Sequence, residues 1–138
     1  MDKFKITMGV ILAALIAALA LGKFAPRKAE VFKQTPIQVT SEGLYKEFKN
    51  SKEAILKYSG KYVEISGVAD HLDQTTLGLP YVILRGGDAL GEVQCIFSPQ
   101  NRDQAKQVKL GQAVTLRGVC MGKVMHLIID ECALQSAK

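Results

Sequence analysis

Residues 111–120 read Gly111-Gln-Ala-Val-Thr-Leu-Arg-Gly-Val-Cys120, and this stretch decides the fold. A turn glycine opens it, and apolar and polar residues then alternate, which is the pattern of a strand with one buried face. After Met121-Gly122-Lys123 a second strand-like stretch runs over residues 124–134. The two stretches predict a β-hairpin near the C-terminus, with its turn at residues 121–123.

Three more strand-like runs come earlier in the chain, over residues 61–69, 81–85 and 92–97. A helix-like stretch, 99–108, separates the third run from the closing hairpin. Three strands, a short helix and a hairpin form the element order of an OB-fold. We therefore predict a mainly β fold, a five-stranded OB-fold barrel. Gly67 interrupts the first run, and we expect a bulge or bend there.

Two short helices are expected ahead of the barrel. Thr40 or Ser41 can cap a helix that contains Leu44, Tyr45 and Phe48. A second helical stretch follows, with Ala54, Ile55 and Tyr58 on it and Gly60 at its end. At helical spacing these aromatic residues are expected to cover one end of the barrel rather than to bind a ligand.

The N-terminus predicts a membrane anchor. Residues 6–22 contain no charged side chain and as a helix would span about 26 Å at 1.5 Å per residue. A hydrocarbon core is about 30 Å thick, so the segment spans it if the flanking lysines reach outward. A signal peptide cleaved after Ala20 remains the alternative, because Ala18-Leu-Ala20 has the small-x-small pattern. We therefore predict a membrane anchor or signal peptide over residues 1–24, a tether over residues 25–39 and an OB-fold domain over residues 40–138. The OB-fold domain is expected on the exported side of the membrane.

The excess of positive charge lies near the N-terminus. Residues 1–40 hold six Lys or Arg and two Asp or Glu, a net of +4, out of +5 for the whole chain. Residues 41–138 hold 12 basic and 11 acidic side chains, a net of +1. Domains that bind nucleic acid through general electrostatics usually have a clear basic excess of their own. This composition argues against that class of function.

The strand segments resemble a known family. Gly60-Lys-Tyr-Val-Glu-Ile-Ser-Gly67, Gly91-Glu-Val-Gln-Cys-Ile-Phe97, the stretch 111–120 and Asp130-Glu-Cys-Ala-Leu134 are similar to the tRNA-anticodon-binding-like OB-fold family. The resemblance covers about residues 40–138. It implies a small bacterial protein with one N-terminal membrane segment and one OB domain, related to nucleic-acid-binding domains. It brings no catalytic residues with it.

Three cysteines, Cys95, Cys120 and Cys132, lack the paired short spacings of a zinc site, so we expect no metal. The simplest interpretation is that they are small buried apolar residues. An exported domain would also permit one disulfide. A turn at 121–123 would place Cys120 more than about 20 Å from Cys132 along the next strand, too far for a disulfide. In an OB barrel the third and fifth strands are neighbours, which makes Cys95–Cys132 the candidate pair.

Catalytic motifs are not apparent. The two histidines, His71 and His126, form no HxH or HxxxH pattern, and no Gly-x-Ser-x-Gly motif occurs. We expect no enzyme activity and no cofactor.

Two binding hypotheses follow. The first is a membrane-tethered module that binds a protein or other non-nucleic ligand in the cell envelope. The second is a nucleic-acid-binding OB domain, which needs exposed aromatic rings for stacking and cations for phosphate. The candidate ligand-binding residues are Tyr62, Tyr81, Arg85, Arg117 and Lys123. Glu64 and Glu92 share their outward faces, and an exported domain rarely meets nucleic acid. The first hypothesis is therefore favoured.

Overall fold

The structure is a computed structural model that describes residues 28–87, 92–123 and 126–137. Residues Val31–Lys138 form one compact unit. In chain order the elements are α1 (Lys28–Val31), β1 (Ile37–Thr40), α2 (Ser41–Asn50), α3 (Glu53–Tyr58), β2 (Tyr62–Gln74), β3 (Pro80–Arg85), β4 (Glu92–Phe97), a 3₁₀ helix (Pro99–Gln107), β5 (Ala113–Lys123) and β6 (Leu127–Ala137).

Strands β2 to β6 close into a barrel. β2 pairs antiparallel with β3 on one side and with β5 on the other, which joins the two ends of the sheet. β4 pairs with β6 in parallel, and β5 and β6 form the expected antiparallel hairpin. The prediction of a five-stranded OB-fold barrel is therefore confirmed. The helix expected between the third and fourth barrel strands is present as a 3₁₀ helix.

A sixth strand was not predicted. Residues 25–39 were assigned to a tether, but Ile37–Thr40 form β1, which pairs in parallel with residues 63–66 of β2. A strand can begin directly after Pro36 because the proline itself need not donate to the ladder. The folded domain therefore starts before Thr40.

The barrel core is apolar, and α2 and α3 cover one end of it. Thr40 caps α2, since its Oγ1 accepts a hydrogen bond of 3.0 Å from the amide of Gly43. Leu44, Tyr45 and Tyr58 pack into the core, as their spacing predicted. The 3₁₀ helix follows the far end of β4 and packs on β6, β3 and β4 there.

Gly67 does not mark the bulge that was expected there. The register of β2 against β3 shifts between Ala69 and His71 instead. Gly67 stays in register with Val114 of β5, and its missing side chain leaves room for Ser41. The glycine is needed for this close approach of α2 rather than for a bend.

The closing hairpin turns three residues later than predicted. β5 continues through Met121-Gly122-Lys123, with a register shift between Cys120 and Gly122 rather than a turn. Cys132 consequently lies opposite Gly118, so that a Cβ on Gly118 would be 2.8 Å from its Sγ. The separation of more than about 20 Å between Cys120 and Cys132, expected from an earlier turn, was wrong.

Cys95, Cys120 and Cys132 are all fully buried in the core as free thiols, so the structure contains no Cys95–Cys132 disulfide. The two thiols of the predicted pair nevertheless interact: burial and the neighbouring thiol of Cys95 raise the pKa of Cys132 well above its ordinary value. Within the described ranges no three His, Cys, Asp or Glu side chains are placed to hold a metal ion.

The predicted membrane segment, residues 6–22, and its cleavage site after Ala20 lie outside the described residues. Among the residues that the structure does describe, no helix is both long and apolar enough to cross a membrane.

Candidate binding face

The outward side chains of β3 and β4 form the surface on which OB-folds bind oligonucleotides and oligosaccharides. Alternation along β3 turns Val82 and Leu84 into the core. The same alternation applies to β4, where Val93, Cys95 and Phe97 are buried. Six side chains are left on the outer side of the two strands, and we call them the β3–β4 face: Tyr81, Ile83, Arg85, Glu92, Gln94 and Ile96. Ile83 is the exception in burial, since it is only 7% exposed.

Strand register arranges the β3–β4 face in three rows. Tyr81 lies opposite Ile96, Ile83 opposite Gln94, and Arg85 opposite Glu92. β2 borders one side, with Asp73 beside Tyr81 and His71 beside Ile83. On the other side Ile128 of β6 is paired with Gln94. The centre of the face is thus apolar and amide-bearing, and its edges are charged.

Each cationic or histidine side chain on this surface faces a carboxylate. Arg85 Nε lies 3.1 Å from Asp70 Oδ1. His71 Nε2 lies 3.5 Å from Asp73 Oδ2, and His126 Nδ1 lies 3.4 Å from Glu92 Oε2. With both histidines neutral, three carboxylates stand against one guanidinium, a net of −2. This potential repels a phosphate chain rather than attracting it.

The sequences of three connections between the strands contain no basic residue. Residues 75–79 join β2 to β3 and read Thr-Thr-Leu-Gly-Leu, and residues 86–91 join β3 to β4 and read Gly-Gly-Asp-Ala-Leu-Gly. Residues 124–126, Val-Met-His, join β5 to β6. None of these segments contains Lys or Arg, the residues that neutralise phosphates in nucleic-acid complexes.

The five predicted ligand-binding residues lie in three separate places. Tyr81 and Arg85 share the β3–β4 face, about 13 Å apart along one strand at 3.3 Å per residue. Tyr62 and Arg117 lie together on the outward side of the β2–β5 pair. Lys123 lies at the helical end, with its Nζ 5.1 Å from the centre of the Tyr45 ring. The structure does not bring the five into one site.

On the β2–β5 side both predicted residues have partners. The ring of Tyr62 contacts Phe32 edge-on, with centroids 5.3 Å apart. Arg117 Nε lies 2.9 Å from Glu64 Oε1, and this hydrogen bond raises the pKa of the guanidinium. A ring that already packs on Phe32 and a cation that already binds a carboxylate make a poor platform for a nucleotide.

A groove that the sequence did not indicate lies between the β2–β3 connection and the 3₁₀ helix. Its volume is about 480 Å³, and Arg102 fixes one wall by donating a 2.8 Å hydrogen bond from Nη2 to the carbonyl oxygen of Gly78. Asp73, Asp103 and Lys106 also line it. Gly78 and Arg102 are 24 positions apart in the sequence, so local sequence patterns could not have predicted the groove.

A family model described as tRNA_anti-like matches residues 3–134 of the chain. The chain belongs to the tRNA_anti-like family. The resemblance that the strand segments indicated is thereby confirmed, and the match includes the N-terminal stretch as well as the barrel. No curated protein sequence matches the chain.

Comparison with solved structures gives similar chains, including these two. A "putative nucleic acid-binding lipoprotein" from Klebsiella pneumoniae is 17% identical, with a TM-score of 0.59, over 80% of this chain and 99% of that one. At this identity the likeness concerns the fold. Entamoeba histolytica asparaginyl-tRNA synthetase is 15% identical, with a TM-score of 0.47, over 75% of this chain and 24% of the synthetase.

Proposed function

We propose that this chain is a non-enzymatic binding module, tethered to a membrane by residues 6–22, that binds a protein or another non-nucleic ligand. Its ligand contacts the β3–β4 face, with the half-buried side chains of Tyr81 and Ile96 as the accessible apolar groups. Aromatic and aliphatic groups surrounded by polar side chains are the usual composition of a protein-binding patch.

One observation carries this proposal: the charge of the β3–β4 face. Arg85 is the single guanidinium among the described residues of this face, and its Nε lies 3.1 Å from Asp70 Oδ1. The three adjoining connections contain no Lys or Arg at all. A nucleic-acid site would have to attract many phosphates with this arrangement, whereas a protein ligand could supply cations to the carboxylates.

The membrane tether rests on the uncharged stretch 6–22 and on the exported position that its order of charges suggests. A structural relative that is named a lipoprotein supports the same location, since a lipoprotein is also held at a membrane. Release of the same domain by cleavage after Ala20 is the alternative, and N-terminal sequencing of the mature protein distinguishes the two.

Nucleic-acid binding is the second candidate function. It is supported by the family and by the name of the structural relative from Klebsiella pneumoniae. On this hypothesis Tyr81 stacks on a base and Arg85 leaves Asp70 for a phosphate. Tyr62, Arg117 and Lys123 would have to act outside the same site.

Titration of fluorescently labelled single-stranded RNA and DNA with the full chain in neutral-lipid nanodiscs tests the choice. We expect no micromolar binding that depends on Arg85 or Tyr81, even at low salt. Binding that weakens with salt and is lost in Arg85→Ala and Tyr81→Ala would overturn the proposal in favour of the second candidate.

Photo-crosslinking tests the face itself. A benzoylphenylalanine at position 81 is expected to crosslink to a protein ligand in the cell envelope, and the exposed position Ala113 on β5 serves as the control. The crosslink should disappear when Ile96→Arg places a charge opposite position 81. Equal crosslinking from positions 81 and 113 would show that the β3–β4 face has no special role.

A further inference from the structure

The helical end of the domain has a charge opposite to that of the β3–β4 face. Residues 41–61 hold five lysines and three glutamates, a net of +2, whereas residues 62–138 hold seven basic and eight acidic side chains, a net of −1. Lys123 of the barrel also lies at this end, over the ring of Tyr45. The nearly neutral domain is therefore electrically polarised.

The lysines gather around two adjoining depressions. Lys46 lines the first, Lys52 and Lys123 line the second, and Lys49 lines both. Glu42 is the single carboxylate among the lining residues of the two. Lys57 lies outside them, with its Nζ 3.4 Å from Glu47 Oε2. The surface around the depressions is consequently strongly cationic.

Apolar side chains project from the same surface. Helix α3 turns Ala54 and Tyr58 inward at i, i+4 spacing. This leaves Ile55 and Leu56 outward, and they are 55% and 84% exposed. Ile55 also lines the second depression, beside Lys52 and Lys123. We call this combination of lysines and exposed aliphatic residues the α2–α3 surface.

We propose that the α2–α3 surface docks on anionic lipid of the membrane that holds residues 6–22, with Leu56 and Ile55 entering the headgroup region. This proposal rests on the membrane tether proposed above. Lysines around protruding aliphatic groups are the composition of peripheral membrane contacts, where each lysine is attracted to anionic headgroups. A nucleic acid would instead require exposed rings for stacking, but Tyr45 and Tyr58 are buried and Phe48 is half-buried against the ring of Tyr58.

The chain connection keeps the α2–α3 surface within reach of the bilayer. Residues 23–36 separate the hydrophobic stretch from β1, and fully extended they span at most about 50 Å. Such a short connection makes docking an intramolecular event at high effective concentration, so weak contacts suffice. Docking would fix the orientation of the domain and present its acidic β3–β4 face in a constant direction.

Tryptophan fluorescence can test the contact because the chain contains no natural Trp. Leu56→Trp reports on α3, and Leu77→Trp in the β2–β3 connection is the matched control, since these leucines are 84% and 86% exposed. Each full-length variant is reconstituted into vesicles with brominated acyl chains, either neutral or containing phosphatidylglycerol. We expect a blue shift and quenching for position 56 in anionic vesicles at low salt, and neither for position 77.

A charge variant provides the second measurement. Lys46→Gln with Lys52→Gln should lower the docking equilibrium constant, obtained from the quenching at position 56, by about fivefold per lysine at low ionic strength. Lys106→Gln with Lys109→Gln, on and after the 3₁₀ helix, should leave it unchanged. Equal quenching at positions 56 and 77, or quenching indifferent to lipid charge, would overturn the proposal.

Flotation at high salt separates failure of docking from failure of the tether. A chain that floats with its vesicles but shows no quenching at position 56 is anchored and undocked. A chain that does not float lacks the anchor, which removes the proposed docking with it. If single-stranded RNA shifts the emission at position 56 while anionic vesicles do not, the lysines of the α2–α3 surface bind nucleic acid, and the proposal of lipid binding is wrong.

Discussion

The side chain of Ser41 fills the space in front of Gly67. A Cβ on Gly67 would lie 2.9 Å from the Cβ of Ser41 and closer still to its Oγ. Ser41 cannot easily move aside, because it is buried and its Oγ donates a 2.6 Å hydrogen bond to the carbonyl oxygen of Arg85. This contact joins α2 to the middle of β2 and to the last residue of β3.

Gly67→Ala is therefore expected to destabilise the domain by about 1–3 kcal/mol, the usual range for overpacking a dense core. Urea unfolding of Gly67→Ala, Ser41→Gly and the double variant measures the effect. Because Ser41→Gly removes the obstructing side chain, the alanine should cost less in that background. Strictly additive free energies would show that the clash with Ser41 is not the cause.

The contact between Phe32 and Tyr62 predicts that the folded domain extends into the segment assigned to a tether. Phe32→Ala should lower the free energy of unfolding by about 1 kcal/mol, because an edge-on aromatic pair contributes about 0.5–1.5 kcal/mol beyond its buried area. Chemical denaturation measures it, with the exposed neighbour Lys33→Ala as the control. Equal stability of the two variants would show that Phe32 does not contribute to the folded domain.

The strands of the barrel could be predicted because alternation is a local property of the sequence. β1 could not, since its four residues follow a proline and pair with residues of β2 that lie 26 positions later in the chain. The same limit applies to the role of Gly67, which depends on where α2 packs. It also applies to the hairpin turn. Gly122 has a positive φ of 96°, as a turn glycine often does, but it lies at a register shift inside β5 rather than in the turn.

The candidate site could likewise be predicted only where it depends on local sequence. The lack of Lys and Arg in the three connections is visible in the sequence alone. The pairing of Arg85 with Asp70 and of Arg117 with Glu64 is not, because it depends on strand register across 15 and 53 positions. Those pairs determine which cations are available to bind a ligand. Composition could therefore favour one of the two functions but could not locate the binding site.

Oxidation should join Cys95 to Cys132 and leave Cys120 free. The thiol of Cys132 has both a hydrogen bond and an electrostatic interaction with that of Cys95, whereas Cys120, on β5 beside Ile129, has only an electrostatic interaction with Cys95. Peptide mapping of diamide-treated protein identifies the bond. The reaction should be slow, since all three thiols are buried and must await local opening. A Cys120–Cys132 bond in the wild-type protein would contradict this prediction.

The buried thiols should also make the reduced domain less stable at alkaline pH. Burial raises the pKa of Cys120, and burial together with the Cys95 thiol raises that of Cys132. A folded-state pKa above the unfolded value favours the native state below the unfolded pKa, about 8.5, and this advantage is lost as pH rises. Each such thiol steepens the fall by up to about 1.4 kcal/mol per pH unit.

Urea unfolding in a phosphine reductant between pH 7.5 and 9 measures this dependence, at least about one pH unit below the ordinary pKa values of tyrosine and lysine. The matched control is Cys120→Ala with Cys132→Ala, whose unfolding free energy should start lower because two buried side chains are truncated. Its slope with pH should nevertheless be flatter than that of the wild type. Parallel slopes in the two proteins would mean that other groups cause the alkaline loss and that the thiols are not the titrating groups.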